Sequence, residues 1–311
     1  MTEPLVYLNG RMVAASEAHL PIFDSGIVMG ATVTEMTRTF RKKLFRLDEH
    51  LDRLFRSLHY ARLDVGLSKA ELTGLCAELV ARNSALGNGA DELGLVIFVT
   101  AGEYPTYAVI AGRPARIGPT VCVHTFPLPF ELWAKKMQMG AHLVTPSIRQ
   151  VPAQCYDPQM KCRSRMHYYL ADKEAQLVDP EGSALLLDLA GNVTETATAN
   201  FLIVEGGGIV TPPSASILPG ISWAVVRELA GELGIPFAER DFQVFNAVNA
   251  EEAFVTSTPY CIMPVTKING IAIGDGKPGP MFHRVIAAWG QKVEIDIVRQ
   301  ILDGGRRRQA P

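Results

Sequence analysis

Along these 311 residues, short apolar runs bounded by turn residues are mixed irregularly with amphipathic stretches, and this order limits the fold more than any other feature. Leu5 to Leu8 and Met12-Val13 flank an Asn9-Gly10 turn and read as a hairpin. The spacing of Leu51, Leu54, Phe55 and Leu58 predicts a helix from about Asp48, its N-cap, to Leu63. Ser68-Lys69-Ala70-Glu71 is a capping box opening a second helix that runs to about Arg82. Leu93 to Thr100 and Thr120 to Thr125 read as buried strands. Further on come a strand near Ala141 to Thr145, a helix from Ser164 to Leu177, a strand from Ala184 to Asp188 and a hairpin of Asn200 to Glu205 with Ile209 to Thr211. Helices are predicted over Ser222 to Leu233 and from about Pro280 to Leu302, with a strand at Ala253 to Thr256 and a hairpin turn at Asn269-Gly270 between them. A doubly wound sheet requires regular βαβ alternation, so the mixture argues for α+β.

The turn-rich, aromatic stretch Phe126 to Trp133 marks a connection between two domains. The expected divisions are a smaller N-terminal domain 1–126, a connection 127–137, a larger domain 138–303 and a basic, mobile, solvated tail 304–311. With 30 Lys+Arg against 32 Asp+Glu, the net charge of −2 carries no basic excess for nucleic acid. No apolar run reaches the roughly 18 residues of a membrane span, and Met1-Thr2-Glu3-Pro4 does not resemble a signal peptide. Five scattered cysteines without a C-x-x-C pair argue against a disulfide framework or structural zinc. A cytoplasmic protein with no metal, no nucleic-acid partner and no membrane partner is expected.

Few residues suggest chemistry one at a time. Leu218-Pro219-Gly220-Ile221-Ser222 leads into a helix, whose N-terminal amides suit an anion, although such junctions are common. Thr256-Ser257-Thr258 ends a strand with three hydroxyls, and Arg53, on the first long helix, has the look of a surface arginine. Lys161 becomes a Schiff-base candidate only where burial or cationic neighbours such as Arg163 and Arg165 lower its pKa. Glu195 opens a run of small residues through Ala199, which otherwise reads as a tight turn.

Taken in order, these blocks resemble the class IV, fold-type IV pyridoxal-phosphate enzymes, which include branched-chain and D-amino-acid aminotransferases, (R)-amine transaminases and aminodeoxychorismate lyases. The resemblance runs through Phe23 to Gly30 with Glu35, Phe45 to Leu54, Lys161 and its helix, Asp188 to Phe201, Thr211 to Ile221, and Ala253 to Thr258 with Met263-Pro264-Val265. It implies a two-domain α+β fold of the D-amino-acid aminotransferase type with pyridoxal 5'-phosphate between the domains, and a homodimer. It further implies that Lys161 is the catalytic Schiff-base lysine and that Glu195 faces the pyridine nitrogen. Arg53, Ile221, Ser222, Ser257 and Thr258 correspond to the phosphate cup, and Ala199 and Asn200 to the wall beside the ring.

The chain departs from that pattern at positions facing substrate or cofactor. Met166 stands where many relatives have a tyrosine that bonds the cofactor's phenolic oxygen, and Arg165, His167 or Tyr168 are the substitutes at hand. Val99-Thr100-Ala101-Gly102 lacks the carboxylate-binding arginine of the D-amino-acid enzymes, and Thr34 replaces a bulky aromatic. Pro259 has no N–H where branched-chain enzymes offer one to the substrate carboxylate, a bond worth about 1.5–3 kcal/mol. Arg163 or Arg165 is then the candidate partner of a substrate carboxylate or of an acid from a partner subunit, surface or structural salt bridges being the alternative, with Thr34 beside the substrate. The resemblance implies a transaminase acting on an amino donor and a 2-oxo acid acceptor, with branched-chain L-amino acids favoured. The alternatives are an aminodeoxychorismate-type lyase, a D-amino-acid or (R)-amine transaminase, and a non-catalytic cofactor-binding protein. Arg46, where the lyases tend to carry a smaller residue, leans toward transamination.

Overall fold

In the computed structural model, which describes residues 3–86, 92–108 and 118–309, Asn9 and Gly10 both take positive φ, 51° and 88°. This is the conformation that a two-residue hairpin turn demands, and it pairs β1 (Leu5–Leu8) with β2 (Arg11–Ala14) antiparallel. α1 (Ser25–Val28) is capped by Asp24, whose Oδ1 accepts from the Gly26 amide at 2.7 Å. β3 (Thr32–Phe40) is buried along nearly its whole length. Sequence patterning does not predict it, because Glu35 and Arg38 interrupt its apolar residues. β4 (Lys43–Leu44) turns back on its end. α2 (Leu47–Tyr60) follows, capped not by Asp48 but by Arg46 in the left-handed region, whose side chain makes no capping bond. Asp48 lies in the first turn, where its charge favours the helix dipole. α3 (Lys69–Ser84) carries the expected box: Ser68 Oγ accepts from the Glu71 amide and the Glu71 carboxylate accepts from the Ser68 amide. β5 (Leu93–Thr100), α4 (Pro105–Ala108) and β6 (Thr120–Pro127) complete this part.

The chain divides into two units, Met1–Leu128 with Met160–Ser164, and Pro129–Gln159 with Arg165–Pro311. In the first, an antiparallel sheet runs in the order β2-β1-β6-β5-β3-β4. Leu51, Leu54 and Leu58 of α2 and Leu72 and Leu79 of α3 pack on Leu95, Ile97 and Val99 of β5. Each fully buried side chain of this kind contributes about 1.5–3 kcal/mol. The segment Met160–Ser164, expected in the second domain, lies in this unit: Met160 packs on its core and Cys162 bridges to Val33.

The second unit begins with a 3-10 turn, Phe130–Leu132, and α5 (Ala134–Met139), a short helix inside the expected connection. Next come β7 (Ala141–Val144), α6 (Met166–Val178), β8 (Ser183–Leu187), β9 (Val193–Thr196), β10 (Asn200–Glu205) and β11 (Gly208–Thr211). α7 (Ile221–Glu232), β12 (Phe237–Glu239), α8 (Val244–Val248), β13 (Glu252–Ser257), β14 (Cys261–Ile268) and β15 (Ile271–Ala272) follow, then α9 (Pro280–Val293) and α10 (Ile297–Gln309). The sheet runs β12-β11-β10-β13-β14-β7-β8-β9, and a β9–β10 pairing returns the path on itself.

Three expectations are corrected here. Glu195 belongs to strand β9, and the tight turn falls after it. The single helix Pro280 to Leu302 is broken at Glu294, whose φ of 55° ends α9. The expected mobile tail is helical through Gln309, because Gly304 and Gly305 are buried where a side chain would collide with Phe130 and Ala134. Residues 310–311 lie outside the described residues.

Candidate active site

In the first unit, β3 supplies Thr34 and Glu35 to opposite faces of the sheet. The Thr34 hydroxyl donates to the Ile97 carbonyl at 2.9 Å. Glu35 receives a two-pronged contact from α2: Arg53 Nε donates to Oε2 at 2.9 Å and Nη2 to Oε1 at 2.7 Å. His50 Nδ1 meets the same Oε1 at 3.0 Å. His50 and Arg53, three residues apart, share the buried face of α2, so Arg53 is not the surface residue its isolated position suggests. Burial disfavours the charge on Glu35, yet Arg53 and His50 prevail and hold the carboxyl well below its ordinary range. Burial lowers the His50 pKa against the pull of Glu35, with Arg53 and Lys161 adding to the lowering. His50 is therefore neutral and donates its Nδ1–H to the carboxylate, which can only accept.

The main chain around Lys161 is held along the start of β3. The Thr34 amide donates to the Lys161 carbonyl at 2.9 Å, the Arg163 amide to the Thr32 carbonyl at 3.0 Å, and the Lys161 amide to Ser57 Oγ at 3.3 Å. The Arg163 guanidinium lies over the Phe98 ring, 4.7 Å from its centre. Phe98 is the cross-strand partner of Thr34, so Arg163, Phe98 and Thr34 share one face.

In the second unit, Glu195, Asn200 and Thr256 form one row across β9, β10 and β13. Glu195 is 6% exposed, and among the described residues its carboxylate accepts from Tyr168, Gln150, Leu218 and Asn200. Oε1 takes Tyr168 Oη at 2.8 Å and Gln150 Nε2 at 3.1 Å, and Oε2 takes the Leu218 amide at 3.2 Å and Asn200 Nδ2 at 3.3 Å. Asn200 Nδ2 also donates to the Leu218 carbonyl at 2.7 Å, tying the carboxylate to the loop that enters α7. The turn into β10 is closed by Thr196 and Ala199: the Ala199 amide donates to Thr196 Oγ1 at 3.0 Å, and Thr196 donates back to the Ala199 carbonyl. Ser257 Oγ donates to the Thr198 carbonyl at 2.7 Å, which sets Thr258 just beyond the end of β13.

Tyr168 is the partner of Glu195 rather than an evident substitute for the tyrosine absent at Met166, which is itself exposed. The Arg165 guanidinium lies 4.9 Å from the centre of the Tyr168 ring. Sequence reading missed Gln150 altogether. It also missed the Glu35–His50 contact, for which the helical spacing of His50 and Arg53 was the available signal.

These residues fit a planar, anionic cofactor bearing a phosphate. Gly220 caps α7 without a side chain, and among the described residues the Ile221 and Ser222 amides meet no acceptor. A Cβ at Gly220 would stand 2.2 Å from Asn200 Oδ1, so the approach to that helix end is shaped around a glycine. Backbone amides at a helix start are suited to phosphate, and a buried anionic carboxylate suits a protonated ring nitrogen.

A family model described as amino-transferase class IV matches residues 32–268. The chain is 32% identical over 284 residues to D-alanine aminotransferase of Bacillus licheniformis, covering 91% of this chain and 95% of that one. Its fold is similar to that of Escherichia coli branched-chain amino acid aminotransferase, with a TM-score of 0.84, 25% identity, and coverage of 93% and 94%. It is also similar to a T.th. branched-chain amino acid aminotransferase solved with pyridoxamine 5'-phosphate, with a TM-score of 0.82, 26% identity and 94% of each chain covered. The chain belongs to the class IV aminotransferases, with their fold type IV architecture, and is a pyridoxal-phosphate-dependent transaminase.

Proposed function

We propose that this transaminase moves the amino group of a branched-chain L-amino acid to a 2-oxo acid, with Lys161 as its Schiff-base lysine and Glu195 opposite the cofactor's ring nitrogen. The observation that carries the reading is the Glu195 carboxylate, buried under the Tyr168, Gln150, Leu218 and Asn200 donors and tied through Asn200 to the loop that enters α7. Pyridoxal phosphate, when bound, supplies a carbonyl that captures the amine and a ring that accepts the electron pair left by the departing Cα proton. Lys161 Nζ removes that proton from the substrate Cα. Glu195 keeps a proton on the ring nitrogen by holding negative charge beside it. Arg53, the Ile221 and Ser222 amides, Ser257 and Thr258 hold the phosphate, and Ala199 and Asn200 line the ring.

Thr34 and Phe98 offer an apolar and aromatic face to the substrate side chain, and Arg163, stacked on Phe98, offers the cation for its carboxylate. Arg165 is the second candidate for that contact. The preference for an L-donor is supported by the strand end Val99 to Gly102, which lacks an arginine, and by the likeness to branched-chain aminotransferase structures. We place the enzyme in the cytoplasm, a setting that suits cysteines held as thiols rather than disulfides. We read it as a homodimer: Ile22, Ile27 and Met29 are 84%, 64% and 55% exposed on one short segment, the kind of apolar surface a partner subunit covers. Among the described residues no helix is long and apolar enough to cross a membrane.

The test is a panel of amino donors added singly to the loaded enzyme and to Lys161→Ala, followed by absorbance. Conversion of the cofactor by leucine, isoleucine or valine in the native enzyme alone is the expected result. Conversion by D-alanine or by simple amines instead would overturn the donor assignment. Pyruvate release from aminodeoxychorismate without an oxo acid would identify the lyase.

A further inference from the structure

Tyr168 stands on the first turn of α6, and its hydroxyl donates to Glu195 Oε1 at 2.8 Å. Gln150 Nε2 donates both to Tyr168 Oη, at 2.7 Å, and to Glu195 Oε1, at 3.1 Å. His167 Nε2 lies 2.9 Å from Gln150 Oε1. Because the amide nitrogen of Gln150 is turned toward Tyr168 and Glu195, its oxygen is the acceptor and His167 donates. The chain of donors therefore has one direction, from His167 through Gln150 and Tyr168 to Glu195. We infer that Tyr168 is a positioning residue for transamination, holding Glu195 fixed and anionic so that the proton shared with the cofactor's ring nitrogen stays on the nitrogen. This rests on the proposed placement of Glu195 opposite that nitrogen.

The physical argument is that each hydrogen bond to a carboxylate stabilises its charged form and makes it a weaker base. A weaker base competes less for the ring proton. The Tyr168 phenol is suited to the task because it stays protonated: burial and the Glu195 charge push its pKa well above the ordinary value. The groups that face it are Glu195 and Gln150 at the hydroxyl, Arg165 over the ring, and the His167 ring with its centre 4.1 Å away. Arg165 opposes the upward shift of Tyr168, and burial, with Arg165, lowers the His167 pKa. Asn200 and the Leu218 amide donate to Oε2 instead. Removing the Tyr168 hydroxyl thus removes a donor to Oε1 and leaves those to Oε2 in place.

The experiment loads the full-length enzyme with cofactor labelled with 15N at the ring nitrogen and records that resonance without any substrate. In Tyr168→Phe the resonance is expected to move toward the position of an unprotonated pyridine. Tyr168→3-fluorotyrosine, a stronger donor of nearly the same shape, is expected to move it the opposite way, and thermal melts establish that both variants fold. A resonance unmoved in both, while Glu195→Gln shifts it, would overturn the role of Tyr168. A resonance unmoved in Glu195→Gln would overturn the placement of Glu195 itself.

Discussion

Arg53 and Glu35 are joined by two hydrogen bonds in a setting where neither side chain is more than 4% exposed. Buried pairs of this kind are costly to break from one side, because the remaining charge has no water to turn to. Glu35→Ala is expected to cost about 3–5 kcal/mol in urea unfolding at pH 7. It also removes the carboxylate that orients Arg53, so, with Arg53 on the phosphate as proposed, cofactor affinity should fall in the fraction that remains folded. Glu35→Gln, which keeps the shape and one acceptor, should cost less. An equal cost for the two would show that the charge of Glu35 rather than its shape holds the pair.

His50 adds a pH dependence. Burial lowers its pKa below the ordinary 6.5, so the folded state takes up its proton later than the unfolded state as pH falls. Stability then declines as pH drops from 6.5 toward the lower folded value. Glu35 acts in the same direction at more acid pH: its contribution is complete above the ordinary 4.5 and is lost as pH falls toward its depressed folded value. Denaturation midpoints of His50→Gln should therefore vary less than those of the native protein between pH 7 and pH 5. The two curves should regain a common slope where the carboxylates titrate.

Gly220→Ala tests the approach to α7. The backbone there is extended, with φ of −67°, so alanine meets no conformational strain. The conflict is with Asn200 Oδ1, 2.2 Å from the added Cβ. Asn200 can yield only by releasing Glu195 or Leu218, so overpacking should cost about 1–3 kcal/mol. If half of that falls on the proposed phosphate end of the site, cofactor binding weakens by up to about tenfold. Fluorescence titration of apoenzyme with pyridoxal phosphate measures it, and unchanged affinity would remove this loop from the phosphate cup.

What was legible in the sequence was local. The Ser68–Glu71 box and the Asn9-Gly10 turn depend on side chains within three residues of one another, and both form as expected. The ordered blocks around Lys161 and Glu195 carried the family. β3 and β9 were not legible, because their faces bury polar residues, Glu35 and Glu195 among them, that break the apolar pattern. The surroundings of Glu195 were hidden for a related reason. Tyr168 and Gln150 stand 27 and 45 residues from it in the chain, and only the folded sheet and α6 bring them to its oxygen. The C-terminal glycines were misleading, since Gly304-Gly305 beside three arginines has the composition of a loose tail and the packing of a helix interface.

That last pair yields a prediction whose sign depends on packing alone. Glycine inside a helix ordinarily costs roughly 0.5–1 kcal/mol relative to alanine. At Gly231 in α7, an added Cβ meets nothing within 4 Å, so Gly231→Ala should stabilise by about that amount. At Gly304 in α10, the same Cβ would stand 2.5 Å from Phe130 Cδ2 and 2.9 Å from two further Phe130 carbons. Gly304→Ala should therefore destabilise despite its better helix propensity, by about 1–3 kcal/mol. Gly304→Ala with Phe130→Leu should recover part of the loss, because the smaller side chain gives the methyl room. Urea midpoints of the native protein and these three variants decide the matter. Stabilisation by Gly304→Ala would mean that α10 does not rest on Phe130 in solution and that the C-terminal segment is a free helix.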